Sequence, residues 1–269
     1  MTDSSLLSYD YIRNANREVV LYLHGFLGCK EDWSETAASL GESFSHLQID
    51  LTGHGVSAET AYEDRHFTMA GCAAKVIEVL DHLKIERCRL VAYSMGGRLG
   101  LFLLTHYPDR FLSAVIESAS PGLKTKSERD ERRARDERLA EELAGGDMPV
   151  FLERWYAQPL FATLDRAGPG FEQLFRRRRT GNPEQLARSL RLMGTGVQPS
   201  LWDRLGDIAC PVLFVAGERD DKFRRLAEEM HRLCPKGQKA IIPKAGHSSH
   251  FERPEEFARA VRRFFAEHA

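Results

Sequence analysis

The sequence predicts an α/β fold, a mostly parallel sheet with helices on both faces and a helical lid inserted over it. Three observations carry that reading. Short apolar runs rich in β-branched residues alternate with longer amphipathic stretches, the rhythm of strand-helix-strand units. Runs such as VVLYL and PVLFVA are apolar at consecutive positions, as strands covered on both faces are. The alternation breaks only between residues 120 and 205, where the text is helical, arginine-rich and strand-free. The chain divides accordingly into a core, 1–119 with 206–269, and a lid, 120–205.

The first strand is VVLYL (19–23), and EDWSETAASL after it reads as a helix. HLQID (46–50) is the second strand, followed by the helix MAGCAAKVIEVLDHLK. CRLVAYS (88–94) is the third, and GRLGLFLLTHYP after it reads as a helix. SAVIES (113–118) closes the first half. After the lid, PVLFVA (211–216) resumes the pattern, then the helix KFRRLAEEMHRLC, the strand AIIP (240–243) and a last helix PEEFARAVRRFFAEH, which opens on proline at a first-turn position.

At 269 residues and 42% apolar content the chain can bury a large core. Its 38 basic and 39 acidic residues leave a net charge of −1, which gives no global pull toward nucleic acid or an anionic membrane. A small-molecule partner is expected. Cys29, Cys72, Cys88, Cys210 and Cys234 are odd in number and widely spaced, which predicts neither a disulfide framework nor a zinc site and fits a cytoplasmic location. The opening twenty residues show no basic-then-apolar leader, and no apolar run is long enough to cross a bilayer.

Parallel sheets place chemistry at the C-terminal ends of their strands, and Ser94 stands at such an end. Ala92-Tyr93-Ser94-Met95-Gly96 follows the small-x-Ser-x-Gly pattern of a nucleophile elbow, which needs small neighbours so that strand and helix can approach. The plainer alternative makes Ser94 the N-cap of the next helix. His24-Gly25-Phe26-Leu27-Gly28 after the first strand can aim the Phe26 amide at that serine, and the Met95 amide supplies a second oxyanion donor. A base and its orienter should follow in the order acid, then histidine. Asp220 stands at the end of PVLFVA and His247 at the end of AIIP, with Asp221 and His250 as alternative neighbours. Neither a metal nor an organic cofactor is called for.

HGF, DLTGHG, AYSMGG, GERD and AGHSSHFERP, from first strand to last helix, resemble the α/β-hydrolase superfamily; Thr52 stands where proline usually precedes Gly-His-Gly. A narrower resemblance is carried by YSMGGR, SASPGLKTKSERDERRARDERLA, FLERWYAQPLFATL, GVQPSLW and GERDDKFR. It is to the MenH family, 2-succinyl-6-hydroxy-2,4-cyclohexadiene-1-carboxylate synthase of menaquinone biosynthesis. That resemblance implies a lyase that eliminates pyruvate from 2-succinyl-5-enolpyruvyl-6-hydroxy-3-cyclohexene-1-carboxylate. Its substrate has three carboxylates, which call for guanidinium partners. Arg98, one helical turn beyond Ser94, leans back toward it, although a salt bridge to a lid carboxylate would use it equally well. By resemblance Arg132 is a lid arginine on a substrate carboxylate, although ERDERRARDER also reads as a solvated helix laced with i,i+4 pairs. The same resemblance sets Arg178 as a third, with Arg177 or Arg179 as the alternative register, and Tyr93 and Trp155 as contacts that packing would also explain. Two rivals remain from the sequence: a serine hydrolase of esters or C–C bonds with the same triad, and a non-catalytic hydrolase-like ligand binder.

Overall fold

The computed structural model describes residues 6–269. Seven strands, β1 (Tyr9–Ile12), β2 (Val19–Leu23), β3 (Ser45–Ile49), β4 (Cys88–Tyr93), β5 (Phe111–Glu117), β6 (Val212–Gly217) and β7 (Gly237–Ile242), form one sheet in the order β1-β3-β2-β4-β5-β6-β7. All neighbours are parallel except β1 on β3. Residues of opposite parity feed the two faces. Leu21, Leu23, Leu90 and Ala92 join one apolar cluster, while Val20, Tyr22, Val91 and Val215 join the other, as a period of two requires.

Helices α1 (Ser34–Leu40), α2 (Asp64–Phe67), α3 (Met69–His82) and α4 (Met95–His106) follow successive strands, and α9 (Asp221–Leu233), α10 (Ser249–Glu252) and α11 (Pro254–Glu267) complete the second half. The first strand was not expected. YDYI is four residues long and alternates half-buried with exposed positions, the signature of an antiparallel edge strand and not of an apolar run. The last strand starts three residues earlier than its apolar text, because edge exposure admits Gln238 and Lys239.

Between β5 and β6 the described residues contain no strand. They hold α5 (Lys126–Gly145), α6 (Met148–Tyr156), α7 (Pro169–Arg178) and α8 (Pro183–Met193). Thr125 and Glu128 make a reciprocal capping box at the start of α5, so Glu128 is taken up there. The i,i+4 pair that α5 does form from Arg132 is with Asp136, at 2.7 Å. An apolar cluster of Leu143, Phe151, Leu152, Phe171, Leu174 and Leu186 fills this helical layer, and Leu27 from the turn after β2 belongs to it. The lid thus packs directly on the segment that follows the first long strand.

Candidate active site

Ser94 follows β4 in a conformation most residues avoid, with φ 50° and ψ −107°. It occupies the N-cap position of α4, yet its side chain caps nothing. The hydroxyl lies instead 3.2 Å from His247 Nε2. Close approach makes this corner possible. Gly96 N–H donates to the His24 carbonyl at 3.0 Å, and a Cβ on Gly96 would stand 2.4 Å from the Leu23 carbonyl oxygen. The elbow and the turn after β2 are therefore held in register through a position only glycine fits.

His247 Nδ1 lies 2.9 Å from Asp220 Oδ2, and both residues are buried. Asp220 is fixed in turn by the Phe223 N–H, which donates to its other oxygen at 3.2 Å. Asp221 is exposed and paired with Arg224. His250 is turned away as well: its Nδ1 meets Glu117 Oε2 at 2.8 Å and its ring stacks on Trp33. Glu252 accepts from the N–H groups of Gly246 and Ser248 and so clamps the loop that presents His247.

A cavity of about 670 Å³ opens above Ser94 and His247, within the range of small-molecule sites. Phe26 and Met95 line it, and their amides donate to no backbone or side-chain acceptor among the described residues. Met95 is the first residue of α4, so its N–H is one that the helix itself leaves free. Tyr93 and Trp155 also line the cavity. The Tyr93 hydroxyl is 2.6 Å from Ser248 Oγ, and burial pushes its pKa well above the usual phenol value. Trp155 meets the Phe26 ring edge-on at 5.3 Å.

The arginines divide. Arg98 lines the cavity and is held by neutral acceptors, the Met193 carbonyl at 2.8 Å and Gln198 Oε1 at 3.2 Å; it makes no salt bridge among the described residues. Burial, and after it the neighbouring Arg132, pushes the guanidinium down to about 10 against a smaller opposing pull from Asp136. Arg132 lines the cavity too while keeping Asp136 as its i,i+4 partner. Arg178 corrects the expectation. It is absent from the cavity wall and is buried against Asp32, with Nη2 to Oδ2 at 2.5 Å. Arg177 reaches the other oxygen of Asp32 at 3.1 Å. A carboxylate from the core has taken the partner role that the sequence reading gave to substrate.

Other cations face the cavity instead. With Arg98 and Arg132, Lys124, Arg135, Lys222 and Arg225 make six basic side chains against two carboxylates, Glu128 and Glu229. Sequence reasoning missed Lys124, Arg135, Lys222 and Arg225. The signal for Arg135 was present: Glu128, Arg132, Arg135 and Leu139 fall at i, i+4, i+7 and i+11, one face of α5. Lys222 lies two residues beyond Asp220, and partial burial and Arg132 lower its ammonium pKa. Among the described residues no cluster of His, Cys, Asp and Glu could hold a metal ion, and no helix is long and apolar enough to cross a membrane.

The alpha/beta hydrolase fold family matches residues 18–254. A Bacillus subtilis protein described as a putative 2-succinyl-6-hydroxy-2,4-cyclohexadiene-1-carboxylate synthase is 38% identical over 248 residues, covering 92% of this chain and 90% of the relative. The Citrobacter koseri 2-succinyl-6-hydroxy-2,4-cyclohexadiene-1-carboxylate synthase is 35% identical over 235 residues, or 87% of this chain and 88% of that one. Among solved structures, MenH from S. aureus superposes with a TM-score of 0.90 at 30% identity, over 97% of this chain and 98% of the other.

Proposed function

The chain belongs to the alpha/beta hydrolase superfamily and, within it, to the 2-succinyl-6-hydroxy-2,4-cyclohexadiene-1-carboxylate synthase family, and from that premise we propose how its cavity eliminates pyruvate from the enolpyruvyl-cyclohexene tricarboxylate. The carrying observation is one juxtaposition: a Ser94-His247-Asp220 relay opens into a cavity whose charged side chains are mostly cationic. Asp220 holds His247 with Nε2 facing the serine, and His247 draws the Ser94 proton. Ser94, so activated, takes the ring proton beside the succinyl ketone. Negative charge builds on the ketone oxygen, where the Phe26 and Met95 amides stabilise it. The electron pair then passes through the ring double bond, the ring C–O bond breaks, and pyruvate leaves as its enolate, which takes up the proton held by His247 and resets the relay, with the ring left as a conjugated diene. No water is consumed and no acyl-enzyme forms.

Arg98 and Arg132 supply two carboxylate partners, and Arg135, Lys222 and Arg225 at the rim supply charge for the third. The same wall disfavours the hydrolase rival. An acyl pocket for neutral esters is apolar, and a guanidinium stripped of water without a counter-ion penalises a neutral guest. A coupled assay for pyruvate with freshly generated enolpyruvyl substrate tests the proposal; rapid hydrolysis of neutral p-nitrophenyl esters with no pyruvate formed would reverse it.

Arg98→Met is expected to lower kcat/KM for pyruvate release by about a hundredfold, the loss of a charged hydrogen-bonding partner in a buried site. Arg98→Lys is expected to recover only part of this, because an ammonium cannot reproduce a planar fork. Equal turnover by Arg98→Met and wild type would remove Arg98 from the site.

A further inference from the structure

Seven buried side-chain polar atoms have no hydrogen-bond partner among the described residues, and only one of them, the Ser118 hydroxyl, belongs to a residue that lines the cavity. Ser118 is 2% exposed. It also holds φ 47°, a conformation glycine adopts freely and serine does not. Both an unpaired hydroxyl and a strained backbone would vanish with glycine here. A residue that retains both at a cavity floor marks a place where the hydroxyl has a use.

Its position says what use. Strands β4 and β5 pair Ala92 with Ile116 and Tyr93 with Glu117, and the next residues are Ser94 and Ser118. The Ser94 N–H donates to the Glu117 carbonyl at 2.9 Å, and the Ser118 N–H to the Val215 carbonyl at 2.9 Å. Ser118 is thus pinned between the strand that presents Ser94 and the strand that leads to Asp220. Neighbouring strands lie about 4.8 Å apart, so Ser94 and Ser118 stand side by side at the C-terminal edge of the sheet. Two residues further, the Ser120 carbonyl accepts from Gln198, whose amide oxygen accepts from Arg98. Ser118 therefore sits in the wall between the proposed base and the cationic corner.

We propose that Ser118 is a substrate contact, its hydroxyl donating to the ring carboxylate, which is borne on the carbon next to the one that loses its proton. Arg98 neutralises that carboxylate and Ser118 orients it, so that the adjacent C–H stands over Ser94. The inference rests on the lyase reading above and adds a specificity determinant to it.

Ser118→Gly removes the strain and the unpaired hydroxyl, so it is expected to melt at or above the wild-type temperature. It is expected all the same to lose about tenfold in kcat/KM for pyruvate release, the effect of one hydrogen bond to a charged group. Ser118→Ala should show the same kinetic loss. Labelling of Ser94 by a neutral fluorophosphonate reads the triad without the ring and is expected at the wild-type rate in both variants. Wild-type kinetics in Ser118→Gly overturns the contact. So does a fall in labelling that matches the fall in pyruvate release, since the effect then passes through Ser94. Failure of the wild type to release pyruvate overturns the lyase reading, and this inference with it.

Discussion

Ser94→Ala is expected to lower kcat/KM for pyruvate release by about 10³- to 10⁴-fold, with the affinity for the diacid product left near that of the wild type. The substitution deletes the hydroxyl that lies 3.2 Å from His247 Nε2 at a residue lining the cavity, so the proposed proton transfer loses its base. A loss of this size corresponds to about 4–5 kcal/mol of transition-state stabilisation. Cationic wall and amide donors remain, and they account for the residual rate and for retained binding. Ser94→Gly should lose activity equally while gaining stability, because φ 50° costs a side chain about 1–2 kcal/mol. Stopped pyruvate assays and product calorimetry separate the two effects. Undiminished turnover by Ser94→Ala would assign the proton transfer to another group.

The difference between what the text revealed and what it hid follows from how each side chain finds its partner. Ser94, Asp220 and His247 meet because each leaves a parallel strand at its C-terminal end, and strand ends are readable from apolar runs and the glycines after them. The choice between His247 and His250 was not readable. It depends on Glu117, a buried carboxylate inside a strand that read as apolar, which engages His250. Arg178 was misplaced for the same reason. Its partner Asp32 lies 146 residues away, and nothing local marks a carboxylate as reserved for the lid. Strand β1 escaped because half-exposed tyrosines at an edge do not form an apolar run. Ser118 gave no signal at all, since positive φ at a serine is set by tertiary contacts and not by its neighbours in sequence.

Asp32→Asn is expected to reduce unfolding stability by about 3–5 kcal/mol, the cost of leaving a buried charge without its partner. Two lid arginines converge on this carboxylate, and the side chains of Arg178 and Asp32 are 7% and 8% exposed. Burial alone would raise the Asp32 carboxyl, but Arg178, followed by His24 and Arg177, brings it down to about 2. Because the folded-state value lies below the unfolded one of about 3.9, the linked stability, about 2.6 kcal/mol, is complete above about pH 4 and is lost as pH falls through about 2. Denaturant titrations of the wild type across that interval should show the decline, and Asp32→Asn should flatten it. The effect is expected to reach the chemistry as well. Asp32 accepts the Cys29 N–H at 3.3 Å, and Cys29 follows the turn, closed by Gly28 N–H on the Gly25 carbonyl, that carries the proposed Phe26 donor. Loosening that anchor should lower kcat by about tenfold, less than the loss of a whole oxyanion donor, with KM less affected. The double variant Asp32→Leu with Arg178→Met replaces the ion pair by apolar contact and should recover stability. It should not recover kcat, because the Cys29 N–H still lacks its acceptor. Asp32→Asn within about 1 kcal/mol of wild-type stability, with an unchanged pH profile, would show that the lid arginines find other partners and that the ion pair does not anchor the lid.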